Sequence, residues 1–353
     1  MYEKNGQKYF VVDSHMHFWD ASPANWVQGQ EAYAKGWIEC FHAYMGLGPA
    51  ETHWDIEHFQ KYSEDDLMSD VFEKGHVDVA IFQPTYLKEW YADGFNTTER
   101  NGALAEKHPG KLIVNARFDP RDGEAGLDRL AADVERWHPK GVKLYTAEWR
   151  DGSRGWKLTD EAAYRYLARA QELGIKNVHI HKGPTIWPLD KDAFDVADVD
   201  HAATDFPALN FVVEHVGLPR IEDFCFMATQ EPNVYAGLAV VIGALMHARP
   251  RFFARVMGEL LFWVGEDKMT FGSDYAIWEP KWQVEGFVNW EMPDHEDFAD
   301  YPRLGVDGKK KILGLNAARL YDIEVPPEFQ LADQTQPAAR DEAQLVTGDS
   351  PAG

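Results

Sequence analysis

Two hydrophobic rhythms alternate along this chain. Eight short runs rich in β-branched and aromatic residues punctuate it: YFVVDSH (9–15), VDVAIFQ (77–83), KLIVNARF (111–118), KGVKLY (140–145), IKNVHIH (175–181), LNFVVEH (209–215), NVYAGLAVV (233–241) and KMTFGSD (268–274). Between them the apolar positions take helical spacing, among other places over 64–75, 97–108, 124–137, 160–173 and 251–264. Strands that alternate with helices in this way read as parallel βαβ units. Eight units in one chain predict an α/β fold closed into a (β/α)8 TIM barrel.

Three stretches interrupt the alternation. Ala21 to Ser63, between the first two runs, is rich in Trp, His and Gly and reads as an inserted loop with short helices. A second insertion is expected over roughly Tyr275 to Tyr301, before a closing helix, GKKKILGLNAARLY. Insertions of this kind shape the catalytic face of barrels. After Pro326 large apolar residues almost vanish, so residues 1–326 are expected to form the barrel domain and 327–353 a flexible or loosely docked tail.

Composition narrows the function. The chain has 353 residues, 45% of them hydrophobic, enough for a large core. It lacks a signal-peptide pattern at its start and any run approaching the roughly 20 apolar residues that span a bilayer, which leads us to expect a cytoplasmic protein with no membrane partner. Cys40 and Cys225 supply neither a disulfide framework nor a CxxC metal clip and read as reduced thiols. A formal net charge of −23 would repel phosphate backbones, so nucleic acid is excluded as a partner. A small-molecule substrate is left, with a homodimer or higher homo-oligomer admissible.

Polar residues cluster at the ends of the runs. Alternate residues of a strand share a face, so His15 and His17 in DSHMH present two imidazoles together, an arrangement suited to chelating one ion. His181 ends the fifth run, His215 the sixth and Asp274 the eighth. In a parallel barrel all these ends lie on the rim where active sites are built. His179 shares a face with His181 but falls deeper in the strand, where a buried, hydrogen-bonded histidine is expected. His42 and His53, on the first insertion, face either solvent or substrate.

The order HxH, IHKG, EHVGLP, FGSD and a closing ILGLNAARLY helix resembles the amidohydrolase superfamily, and within it the amidohydrolase-2 group that includes aminocarboxymuconate-semialdehyde decarboxylase. The resemblance runs from about Phe10 to Ile323. It implies that His15, His17, His181 and Asp274 hold one divalent metal ion, zinc in the first place and manganese as the alternative. It further implies that His215 transfers a proton to or from the substrate, a task suited to an unperturbed pKa of about 6.5, while Asp274 can also accept a proton from metal-bound water. Binuclear relatives carry a carboxylated lysine on the fourth strand. Here Lys143 reads as a partner for a substrate carboxylate or as a satisfied rim cation.

The group divides between nonoxidative decarboxylation and hydrolysis. Of the thirteen tryptophans, Trp19, Trp149, Trp187 and Trp278 each follow a run, and aromatic walls suit planar ligands. Together with Lys143, Lys182 and Arg117, they point to decarboxylation of a planar, anionic aromatic or unsaturated acid. Hydrolysis of a lactone or amide, or hydration of a double bond, are the alternatives, as is a catalytically silent barrel. Trp19, Trp187, Lys143 and Arg117 are the expected substrate contacts.

Overall fold

In the computed structural model, which describes residues 1–331, the eight runs become the eight strands of one parallel barrel. A short antiparallel hairpin precedes them, β1 (Tyr2–Lys4) with β2 (Gln7–Tyr9). The barrel strands are β3 (Val12–Met16), β4 (Val79–Phe82), β5 (Leu112–Val114), β6 (Gly141–Leu144), β7 (Asn177–His181), β8 (Asn210–Glu214), β9 (Val234–Gly237) and β10 (Met269–Thr270). Strands β3 to β5 pair in order, as do β6 to β10. Two seams complete the ring. Ala116 N donates to Gly141 O (3.0 Å) and Lys143 N to Ala116 O (2.8 Å), while Ser14 N donates to Phe271 O and Asp274 N to His15 O (both 2.9 Å). Every residue of β3, β4, β6 and β7 is buried, as a parallel sheet covered on its outer face requires.

The outer layer consists of amphipathic helices. Glu161–Glu172, for example, buries Ala163, Tyr166, Leu167 and Ala170, the i, i+3, i+4, i+7 stripe of a helix packed on one side. Each insertion holds a substantial helix. The first contains Glu31–Tyr44, which buries Ala34, Trp37, Ile38 and Phe41, and the second contains Pro280–Asn289, started by its proline. Among the described residues no helix is long and apolar enough to cross a membrane. Cys40 and Cys225 are both free thiols.

The closing helical segment, 306–321, seals the end of the barrel opposite the site. Its Tyr321 reaches the barrel interior, where its hydroxyl accepts from Asn115 Nδ2 at 2.8 Å. Around that plug, Phe10, Val12, Ile81, Val212 and Leu320 form a second apolar cluster that Phe329 joins. Phe329 is 3% exposed, with its ring centroid 5.8 Å from that of Phe10. The chain therefore stays docked past Pro326, and the rest of the expected tail, 332–353, lies outside the described residues. Phe329→Ala should lower the unfolding free energy by about 3 kcal/mol, the usual cost of emptying an aromatic site, and urea unfolding with an unchanged m-value would show it.

Candidate active site and metal centre

The site begins with the backbone of β3. His15 and His17 project together at its end, and Asp274 meets them from the loop after β10. His15 Nε2 and His17 Nε2 are 3.2 Å apart, and Asp274 Oδ1 lies 3.2 Å from His17 Nε2 and 3.6 Å from His15 Nε2. One ligand atom from each of these buried residues fits within 4.8 Å of the others, a grouping able to hold a metal ion. Two devices bring the strands this close. Gly272 has no side chain because a Cβ there would strike the Cβ of His15. Asp13, fully buried, accepts from Ser273 N (2.9 Å) and Ser273 Oγ (2.5 Å) and so locks β3 to the loop that carries Asp274. Burial pushes the Asp13 carboxyl up to about 7 despite those hydrogen bonds. Asp274 itself sits at φ +59°, a left-handed conformation uncommon outside glycine and frequent at functional sites.

The imidazoles are oriented from behind. His17 Nδ1 donates to Gln83 O at 2.8 Å, which turns Nε2 toward the cluster as a lone pair. His15 Nδ1 lies 2.9 Å from Glu214 Oε2, in contact though poorly aligned for a hydrogen bond. The other oxygen of Glu214 accepts from His179 Nδ1 at 2.5 Å, and Tyr321 Oη donates to His179 Nε2 at 2.8 Å. His179 is thus the deep, hydrogen-bonded histidine expected from its register. Burial pushes the His15 imidazole down to about 3, with Glu214 opposing and Lys143 adding to the push, so it stays neutral and free to ligate. Glu214→Gln should weaken metal affinity by about 10- to 100-fold, the usual cost of losing an outer partner of a ligand, with the fold retained. Chelator competition and far-UV circular dichroism measure the two.

His181 ends β7 beside this cluster without joining the tight group of three. Its Nδ1 lies 3.1 Å from His215 Nε2, and its Nε2 is buried with no hydrogen-bond partner. Burial, with His215 and Lys143 adding, holds His181 well below the usual histidine range. His215 follows β8 at φ +67°, with Val216 and Gly217 also left-handed. The turn is held by Gly217 N donating to Lys182 O (2.8 Å) and by His215 Nδ1 donating to Ala239 O (3.0 Å). Gly183, the glycine of the IHKG motif, leaves the space that the His215 Cβ occupies. Lys143 Nζ is buried 3.4 Å from His15 Nε2, and burial brings its ammonium down to about 8 against the pull of Glu214 and Asp274.

These residues form the floor of a cavity of about 240 Å³, whose walls include Trp37, Phe41, Tyr145, Ile186, Pro219 and Trp278. His15, His17, Lys143, His181, His215 and Asp274 all line it. The other expected substrate contacts do not. Trp19 is 1% exposed and packed in the core, stacked on Phe95 with its Nε1 donating to Phe59 O. Trp187 is 56% exposed and packs on Tyr33. Arg117 belongs to a separate cleft, over the ring of Tyr86 and 3.5 Å from Glu148. Lys182 is buried against Asp198 and the Ala193 carbonyl. Trp278, one of the tryptophans expected on the rim, does line the cavity, and it shares the aromatic wall with Trp37, Phe41 and Tyr44, one face of the helix in the first insertion.

Comparison with solved structures returns the same architecture. An uncharacterized TIM-barrel protein from Bordetella bronchiseptica superimposes with a TM-score of 0.63 at 18% identity, over 88% of this chain and 97% of its own. A 5-carboxyvanillate decarboxylase from Novosphingobium aromaticivorans, solved with manganese and 3-methoxy-4-hydroxy-5-nitrobenzoic acid, gives 0.56 at 16% identity, over 90% and 99%. A zinc-bound amidohydrolase from Burkholderia multivorans gives 0.58 at 16%, over 89% and 100%. No curated protein sequence matches. The Amidohydrolase family model matches residues 12–323, a span that holds all eight barrel strands and every residue of the cavity floor, and the chain belongs to that family of enzymes.

Proposed function

We propose that this protein is a metal-dependent, nonoxidative decarboxylase of a small aromatic or unsaturated carboxylic acid. The observation that carries the reading is the contrast within the cavity, a polar floor of histidines, Asp274 and Lys143 beneath walls that are aromatic and aliphatic. His15, His17 and Asp274 would hold one divalent ion, with His181 as fourth ligand through its unpartnered Nε2. Such an ion supplies Lewis acidity toward a carboxylate and a neighbouring oxygen. Lys143 adds a second positive charge that orients the carboxylate. Trp37 and Trp278 offer flat apolar surface to the rest of the substrate, and the dry wall favours the passage from a charged carboxylate to neutral carbon dioxide. His215 holds the proton that the substrate carbon takes up as its bond to the carboxyl carbon breaks.

The neighbour solved with manganese and a nitrobenzoic acid, and the one solved with zinc, support a metal and an anionic aromatic ligand as the chemistry to try first. The test is to load the protein with zinc or manganese and to follow carbon dioxide release from a panel of hydroxybenzoates and muconate-like acids. Release at a rate proportional to metal content is the expected result. Hydrolysis of lactones or amides by the same preparation, without carbon dioxide, would overturn it.

A further inference from the structure

We propose that the cavity selects acids bearing a second anionic group, and that Arg249 holds this group at the mouth. The inference rests on the acid-binding reading above and adds a specificity determinant to it. Apart from the histidines, the ionised side chains lining the cavity are Lys143 and Asp274 on the floor and Arg249. Arg249 is exposed, whereas Lys143 is 1% exposed, so the two cations mark opposite ends of one space. A single carboxylate seated on the floor leaves Arg249 with nothing to do.

Among the described residues Arg249 has no polar partner, unlike the other arginines near it. Arg251 pairs with Asp297, Arg255 with Glu222 and Arg220 with Asp195. In a chain of net charge −23 carboxylates are plentiful, yet among the described residues the Arg249 guanidinium makes no ion pair or hydrogen bond. Its guanidinium lies over the ring of Phe252, 4.7 Å from centroid to guanidinium carbon, and Phe252 also lines the cavity. Stacking on that ring restrains the side chain without consuming its N–H groups. A planar fork with free donors is suited to a bidentate carboxylate.

The backbone is shaped to bring it there. Val240 stands at φ +70°, a conformation costly for a β-branched residue, and opens a π-helical turn over Val241–Leu245. Val240, Ala244, Leu245 and Arg249 all reach the cavity wall from this segment. Strained backbone of this kind is kept where it positions functional groups.

The experiment compares salicylate with two dianionic counterparts, one with a second carboxyl at ring position 5 and one with an acetic acid arm there. Binding to zinc-loaded protein is read by calorimetry, which does not require turnover. At least one dianion should bind about tenfold more tightly than salicylate. Arg249→Gln should remove that advantage with metal content retained, and Arg251→Gln, which removes the same charge from a paired neighbour, should preserve it. Salicylate binding with no gain from either dianion, or a gain that survives in Arg249→Gln, would overturn the role of Arg249 and leave the acid-binding reading standing. Failure of all three ligands to bind would overturn that reading, and this inference with it.

Discussion

His17→Ala should lose its metal and its activity in proportion. His17 contributes Nε2 to the group of His15, His17 and Asp274, and its Nδ1 bond to the Gln83 carbonyl fixes that nitrogen as a lone pair. Removing it deletes a ligand held in place before any metal arrives, so the loss of affinity should exceed the roughly 10- to 100-fold that follows from removing an outer partner. Excess zinc should restore part of the turnover, because the barrel does not depend on this side chain for its core. His15→Ala should be the more damaging change. It removes the imidazole that lies 2.9 Å from one oxygen of the fully buried Glu214 and leaves that oxygen facing an empty space, a penalty of about 1–3 kcal/mol. Elemental analysis, turnover and melting temperature measured on the same preparations would test both. Full metal content with normal turnover in His17→Ala would show that the ion is held elsewhere.

The barrel could be read from the sequence because parallel strands covered on both faces appear as compact apolar runs, and each of the eight runs contains a strand. What escaped was local. The first run joins Tyr9, which belongs to β2, to a barrel strand, although Asn5 and Gly6, both at positive φ, are the Asn-Gly signal of a tight hairpin turn. The helix Ala197–Asp205 carries little apolar periodicity because the buried Asp198 interrupts its stripe. The polar floor was legible for the same reason as the strands: a histidine or aspartate ending an apolar run must lie on the rim. Glu214 and Asp13 were not, since a carboxylate beside a histidine motif looks the same in sequence whether it faces solvent or the barrel interior. The aromatic contacts were the least legible. Trp19 lies just before the first insertion and Trp37 within it, and which of them meets the cavity depends on how the helix Glu31–Tyr44 docks, a tertiary outcome with no local signature.

His215→Asn should keep the ion and the fold while lowering turnover by about 10²- to 10⁴-fold, the range for loss of a general acid/base. His215 lies outside the group of three, its Nδ1 held by the Ala239 carbonyl and its Nε2 3.1 Å from His181. It lines the cavity beside the floor, where a substrate carbon held over the ion would come within its reach. Asparagine is the informative replacement because it tolerates the left-handed backbone that His215 adopts at φ +67°, whereas alanine would add backbone strain to the loss of the imidazole. With the turn intact and Gly183 still packed beneath it, substrate affinity should change little and the deficit should appear in kcat. If metal disappears in step with activity, His215 is itself a ligand and belongs with His15 and His17. If turnover is normal, the proton reaches the substrate from Asp274 or from water, and His215 serves only to orient His181.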